Sequence, residues 1–171
     1  MKKYQLIGFS ILFVAASLSI CSVVSATSTA TVAATVTVQN ISLTVTTSGT
    51  IAWGTLAINT ASSTHAAFTQ TVQNNGNVAE DFKAEGMNST PGAWVLGSTN
   101  GASQYEQAIC STGCTSAPTG YTALATSSQT TLASNIAAAG TAPMDLYILT
   151  PTSVSDYTQQ TVNVTLTAVA H

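Results

Sequence analysis

The feature that most limits the folds open to this chain is an apolar–polar alternation with a period of two. Val32, Ala34, Val36 and Val38 alternate with Thr31, Ala33, Thr35 and Thr37. Ile41, Leu43 and Val45 alternate with Ser42, Thr44 and Thr46, and Val162, Val164, Leu166 and Ala168 with Asn163, Thr165 and Thr167. Successive side chains of a strand point to opposite faces, so each run presents one apolar and one polar face. Val, Ile and Thr are the residues that a pleated sheet accommodates best. Frequent Gly, Asn, Ser and Pro breaks between the runs predict short strands joined by turns.

The stretch Thr50 to Phe82 carries this organisation most densely. Ile51 and Trp53 share one strand face, and Leu56 and Ile58 share another whose parity is shifted by one. Gly54 lies between them, where a bulge or a crossover resets the phase. Asn59 to Ala67 is small and polar and reads as a loop. Phe68 and Val72 then face one way, and Thr69, Thr71 and Gln73 the other. Asn74-Asn75-Gly76-Asn77 suits a hairpin turn, because Asn and Gly tolerate positive φ. Past it, Val78, Phe82 and Ala84 form an inward row against Asp81, Lys83 and Glu85. Glu80 falls on the inner side and is expected near the strand end, within reach of water.

Trp53-Gly54-Thr55-Leu56 together with Asn74-Asn75-Gly76-Asn77 resembles the opening half of immunoglobulin-like β-sandwich families of the ASH and major-sperm-protein type. The likeness covers about a fifth of the chain and implies a fold, not an activity. The organisation as a whole is more loosely similar to secreted matrix and pilus subunits of the camelysin and TasA kind. These have a signal peptide, a Thr/Val-rich strand and an immunoglobulin-like or jelly-roll body.

Lys2 and Lys3 precede an apolar run from Leu6 to Val24, which ends in Val24-Ser25-Ala26. This is the pattern of a secretory signal peptide, with cleavage expected between Ala26 and Thr27. The run is also about long enough to remain as an anchor. Two further readings stay open. Gly8-Phe9-Ser10-Ile11 resembles a type IV prepilin cleavage site, although Phe13 stands where such sites carry Glu. Leu18-Ser19-Ile20-Cys21 resembles a lipobox, although Ile20 stands where a small residue belongs.

Residues 27–171 are then one exported domain, large enough for a real core. Its only cation is Lys83, against Glu80, Asp81, Glu85, Glu106, Asp145 and Asp156, and the chain has no arginine. Without a basic footprint, nucleic acid is not an expected partner. A membrane is expected to be met only through an uncleaved or lipidated N-terminus. A weakly charged, β-rich surface does little to oppose association. The run from Thr27 to Gln39 is expected to pair within its own sheet or to add to the sheet edge of a neighbour.

After residue 26 the only cysteines are Cys110 and Cys114. In an exported protein they read as a structural disulfide closing a small polar loop. A metal site needs about four ligands, and none cluster in the sequence, so no metal and no cofactor are expected. Asp145 and Asp156 with loop carbonyls are a weak candidate for Ca²⁺. His65 with an acid and one of many serines is a weak candidate for a triad. Tyr105, Tyr121, Tyr147 and Tyr157 are the aromatic candidates for a glycan surface, and Trp94 reads as core.

The expectation is an all-β protein: an immunoglobulin-like or jelly-roll sandwich of about nine or ten strands after a signal peptide. Its expected role is non-enzymatic, as an exported cell-surface or extracellular structural protein that associates with itself or with other surface proteins. The alternatives are an adhesion module that binds glycan or protein, and a type IV pilin-like subunit if the chain is processed after Gly8.

Overall fold

A computed structural model describes residues 28–65, 67–115 and 117–171. It falls into two compact units divided between Val36 and Thr37. In the first unit, residues 28–36 form no strand and are exposed throughout. The second unit carries ten strands, and there is no helix among the described residues.

The strands are β1 (Leu43–Val45), β2 (Ala61–Ser63), β3 (Gln70–Asn74), β4 (Glu80–Gly86) and β5 (Val95–Gly97). They continue with β6 (Gln104–Cys110), β7 (Thr122–Ala123), β8 (Thr130–Ile136), β9 (Thr141–Leu149) and β10 (Val164–Ala170). Seven form one sheet in the order β1-β3-β9-β6-β5, with β2 also on β9 and β7 also on β6. Three form the second sheet, β10-β4-β8. The fold is an all-β sandwich, the class that the alternation predicts.

The core lies between the sheets. Val72 of β3, Met144, Leu146 and Ile148 of β9 and Tyr105 and Ile109 of β6 meet Phe82 and Ala84 of β4 and Leu132 of β8. Val164, Leu166 and Ala168 of β10 pack against this cluster but stay half-buried. The alternation of β4 is as expected, with Glu80, Phe82, Ala84 and Gly86 inward. Burying these apolar side chains is the main favourable term of the fold, at roughly 25 cal/mol per Å².

Five expectations change. The Thr27–Gln39 run is no strand over its described part, residues 28–39, and Val32 and Val36 are 90% and 89% exposed. Its alternation makes it competent to pair, yet none of its described residues belongs to a strand. Ile51 to Ile58 also forms no strand. Ile51, Trp53 and Leu56 lie half-buried against the core as irregular chain, and Gly54 turns with a φ of 70°. The expected loop from Asn59 to Ala67 contains β2, whose small residues Ala61, Ser62 and Ser63 pair with Leu149, Ile148 and Tyr147.

The fourth change concerns Asn74-Asn75-Gly76-Asn77. It joins β3 to β4, which lie in different sheets, so it is a crossover and not a hairpin. Gly76 is required there by closeness. A Cβ on it would stand 2.3 Å from the Asn40 carbonyl oxygen and 2.3 Å from Oε1 of Glu80. The fifth change is Glu80, which is fully buried and not near water as expected. Its Oε1 accepts from the Ser42 N–H at 2.8 Å, while its Oε2 has no partner among the described residues.

Candidate functional site

Two places on the second unit gather chemistry that packing alone does not account for. The first is the outer face of the large sheet. β9 alternates there so that Met144, Leu146 and Ile148 enter the core while Asp145 and Tyr147 face away from it. Both outer residues are nonetheless buried, Asp145 with only 5% of its surface exposed. The segments that follow β2 and precede β7 supply groups that meet them.

Asp145 is the hub. Its Oδ2 lies 3.1 Å from Nδ1 of His65, and its Oδ1 accepts from Oγ1 of Thr69 at 2.6 Å and of Thr64 at 3.4 Å. Thr64 in turn accepts the N–H of Leu146 at 2.8 Å. A buried carboxylate needs such partners, since an unpaired one is costly. A carboxylate only accepts, so the proton between them sits on Nδ1 of His65.

A shallow cleft of about 350 Å³ opens beside this pair, lined by Ser62, Ser63, His65, Thr115, Ala117 and Tyr147, with Ala61 at its edge. The Tyr121 and Tyr147 rings stand 6.1 Å apart behind it. The Tyr121 hydroxyl is buried beside Ser63 with no hydrogen bond of normal length among the described residues. Burial, and then the negative charge of Asp145, raise its pKa. Burial, and then Glu106, do the same for Tyr147.

Cys110 and Cys114 are joined, with Cα atoms 5.8 Å apart. Cys110 is the last residue of β6 and sits directly across from Asp145 on β9. The disulfide therefore fixes the root of the segment that brings Thr115 and Ala117 to the cleft. Spacing in the sequence reveals the bond but not this role, because Asp145 is supplied by a strand distant in the chain.

His65 and one acid are thus brought together as a triad requires, but among the described residues no serine completes it. Ser62 and Ser63 line the cleft, yet neither hydroxyl bonds His65. The acids weighed for Ca²⁺ are otherwise engaged. Asp145 serves His65 and two threonines, and Asp156 accepts the Thr158 N–H at 2.8 Å, which lowers its pKa. Among the described residues no group of three or more His, Cys, Asp or Glu is placed to hold a metal. Of the tyrosines, Tyr105 is buried with its hydroxyl on the Met87 carbonyl, and Tyr157 stands alone at 84% exposure. Trp94 packs half-buried against the core, 6.3 Å from the ring of Tyr105.

The second place is the root of the N-terminal run. Asn77 grips it from both sides: its Oδ1 accepts the Asn40 N–H, its Nδ2 donates to the Val38 carbonyl, and its own N–H donates to the Asn40 carbonyl. The Asn75 N–H donates to the Ser42 carbonyl. Upstream of Val38 the chain carries its alternating valines in the open. The cleavage positions Ala26 and Thr27, Gly8 of the prepilin-like site and Cys21 of the lipobox-like site lie outside the described residues.

Fold and sites together define a class no narrower than an all-β, two-sheet sandwich with an exposed N-terminal arm and a polar cleft beside His65 and Asp145. Compared with protein-family models, curated proteins and solved structures, the chain finds no match in any of the three.

Proposed function

We propose that this chain is a non-enzymatic, exported subunit of a cell-surface or extracellular structure, and that it associates with copies of itself through its N-terminal run. The observation that carries this reading is the exposure of Val32, Val36 and Val38 on one parity of an uncharged, β-branched segment. Leaving large apolar side chains in water is unfavourable, and an extended segment of this kind finds partners by adding to a sheet. The low charge of the body supports the same reading, since little repulsion opposes assembly.

Light scattering and electron microscopy of the protein purified from its own cells test it. Concentration-dependent assemblies are expected, and they are expected to disappear when residues 28–39 are deleted. A strictly monomeric intact protein, or assembly unaffected by the deletion, overturns the reading. Mass determination of the native N-terminus is the companion measurement. A start at Thr27 fits export with a free run, a start at Phe9 moves the protein to the pilin-like alternative, and an acylated Cys21 makes it a tethered lipoprotein.

The cleft favours a second reading, a module that binds glycan or protein at the surface. It offers hydroxyl, imidazole and aromatic groups together, as recognition of a polyhydroxylated ligand requires. Binding to a glycan panel that is lost in His65→Ala supports this reading, and binding unchanged by that substitution removes the cleft from it.

A further inference from the structure

We infer that the acceptor for the N-terminal arm is the free edge of β10 on a second copy of this chain, where residues 31–37 add as a fourth strand to the three-stranded sheet. The inference rests on the self-association reading above and specifies its geometry.

The two sheets are unequal. Three strands, β10-β4-β8, cover a face built from seven. The shortfall shows at β10, where Val164, Leu166 and Ala168 pack against the core yet remain half-buried. Its outer edge has no strand beside it among the described residues. β10 pairs with β4 through seven consecutive residues without a register shift, from Val164 opposite Gly86 to Ala170 opposite Glu80. It therefore has none of the usual protections of an edge: no bulge, no proline and no charge.

The backbone groups on offer follow from the ladder. The His171 N–H bonds the Ala79 carbonyl. In an antiparallel pair the bonded residues alternate, so Thr165, Thr167 and Val169 exchange bonds with β4. The N–H and C=O groups of Val164, Leu166, Ala168 and Ala170 then point off the sheet. The other edges are poorer. β1, β2, β5 and β7 have three residues or fewer. β8 carries register shifts against β4, and its Leu132 carbonyl is already taken by Oγ of Ser111 at 2.6 Å.

The arm matches this edge. Residues 31–37 equal β10 in length and, like it, carry no charge. Val32, Ala34 and Val36 would extend the apolar row of Val164, Leu166 and Ala168. Thr31, Ala33, Thr35 and Thr37 would extend the outer row of Thr165, Thr167 and Val169. Val32 and Val36 are about nine-tenths exposed, so the arm's own apolar row is unburied and available to a partner.

Two variants of the full chain test this. Deletion of 28–37 removes the donor and leaves β10 intact. Ala168→Pro removes one outward N–H from β10, where no bond to β4 is lost, and leaves the donor intact. Each is expected to be monomeric alone, and an equimolar mixture is expected to give a one-to-one heterodimer by sedimentation. Assembly of Ala168→Pro at the wild-type level overturns the acceptor while leaving self-association standing. Assembly of the deletion variant overturns both. Hydrogen exchange guards against a misfolded proline variant. The amides of Val164, Leu166, Ala168 and Ala170 are expected to slow at least tenfold in wild-type assemblies relative to the deletion variant. Equal exchange in the two overturns the inference, as does protection already present in a wild-type monomer, which places the arm on its own edge.

Discussion

β9 and the N-terminal arm are written in similar residues and meet opposite fates. β9 has Ala142, Met144, Leu146 and Ile148 on one parity, and all four are buried. The arm has Val32, Ala34, Val36 and Val38 on one parity, and its valines are among the most exposed side chains of the molecule. Propensity does not separate them, since the arm is the richer in β-branched residues. Neighbours do. β9 has β3 along its first half and β2 and β6 flanking its second. Alternation shows that a segment can be a strand, and topology decides whether a partner is present.

The largest effect that sharpens this contrast is expected from matched truncations. Leu146→Ala on β9 is expected to cost about 2–5 kcal/mol, from lost burial plus the cavity left behind. Val36→Ala on the arm is expected to move monomer stability by less than about 0.5 kcal/mol. Urea unfolding of both variants at a concentration too low for association checks the pair. A comparable loss in both would place the arm inside the folded core and break the comparison.

A smaller effect is expected on the outer face of β9. Asp145→Ala leaves Thr69, Thr64 and His65 without their acceptor, at a cost of about 1–3 kcal/mol. His65→Ala, at the exposed end of the same pair, is expected to cost less. Urea midpoints that reverse this order would mean that the carboxylate is not the hub.

The smallest effect concerns pH. The Asn135 N–H, and then His171, hold Asp81 below its ordinary value of 3.8. Its contribution is therefore present above that value and is lost as pH falls through the lowered one. Burial raises Glu106 above its ordinary 4.5. Its contribution runs the other way, present below 4.5 and lost as pH rises through the raised value. Asp81→Asn is expected to flatten the acid limb of the stability profile, and Glu106→Gln the slope above pH 4.5. Residues 28–37 contain no titratable side chain, so their deletion is expected to leave the profile unchanged.

The long strands were legible because their alternation is also their burial. The rows of β4 and that of β10 follow from period two, and the Cys110–Cys114 bond follows from proximity in the chain. What was not legible has a physical reason in each case. β2 is three small residues, Ala61, Ser62 and Ser63, with no apolar pattern, and it exists because β9 offers a long edge. Ile51 and Trp53 alternate like a strand but bury themselves from irregular chain, since burial is non-directional. The Asn-Gly turn looks like a hairpin locally, and only the division into two sheets makes it a crossover. His65 and Asp145 lie far apart in sequence, and nothing but the fold brings them together.

The grip of Asn77 on the arm also has a mechanical meaning. Any pull on residues 28–37 enters the body between Val38 and Ser42. It passes through three hydrogen bonds to Asn77, one to Asn75 and one to Glu80. These residues lie on or next to the crossover between β3 and β4, so the load is handed to both sheets at once rather than peeling one strand from an edge. Gly76, which cannot carry a side chain against the Asn40 carbonyl, keeps that junction short. A tether anchored in this way hands tension to several hydrogen bonds at once, from Val38 to Ser42, before it reaches any strand of the sheets.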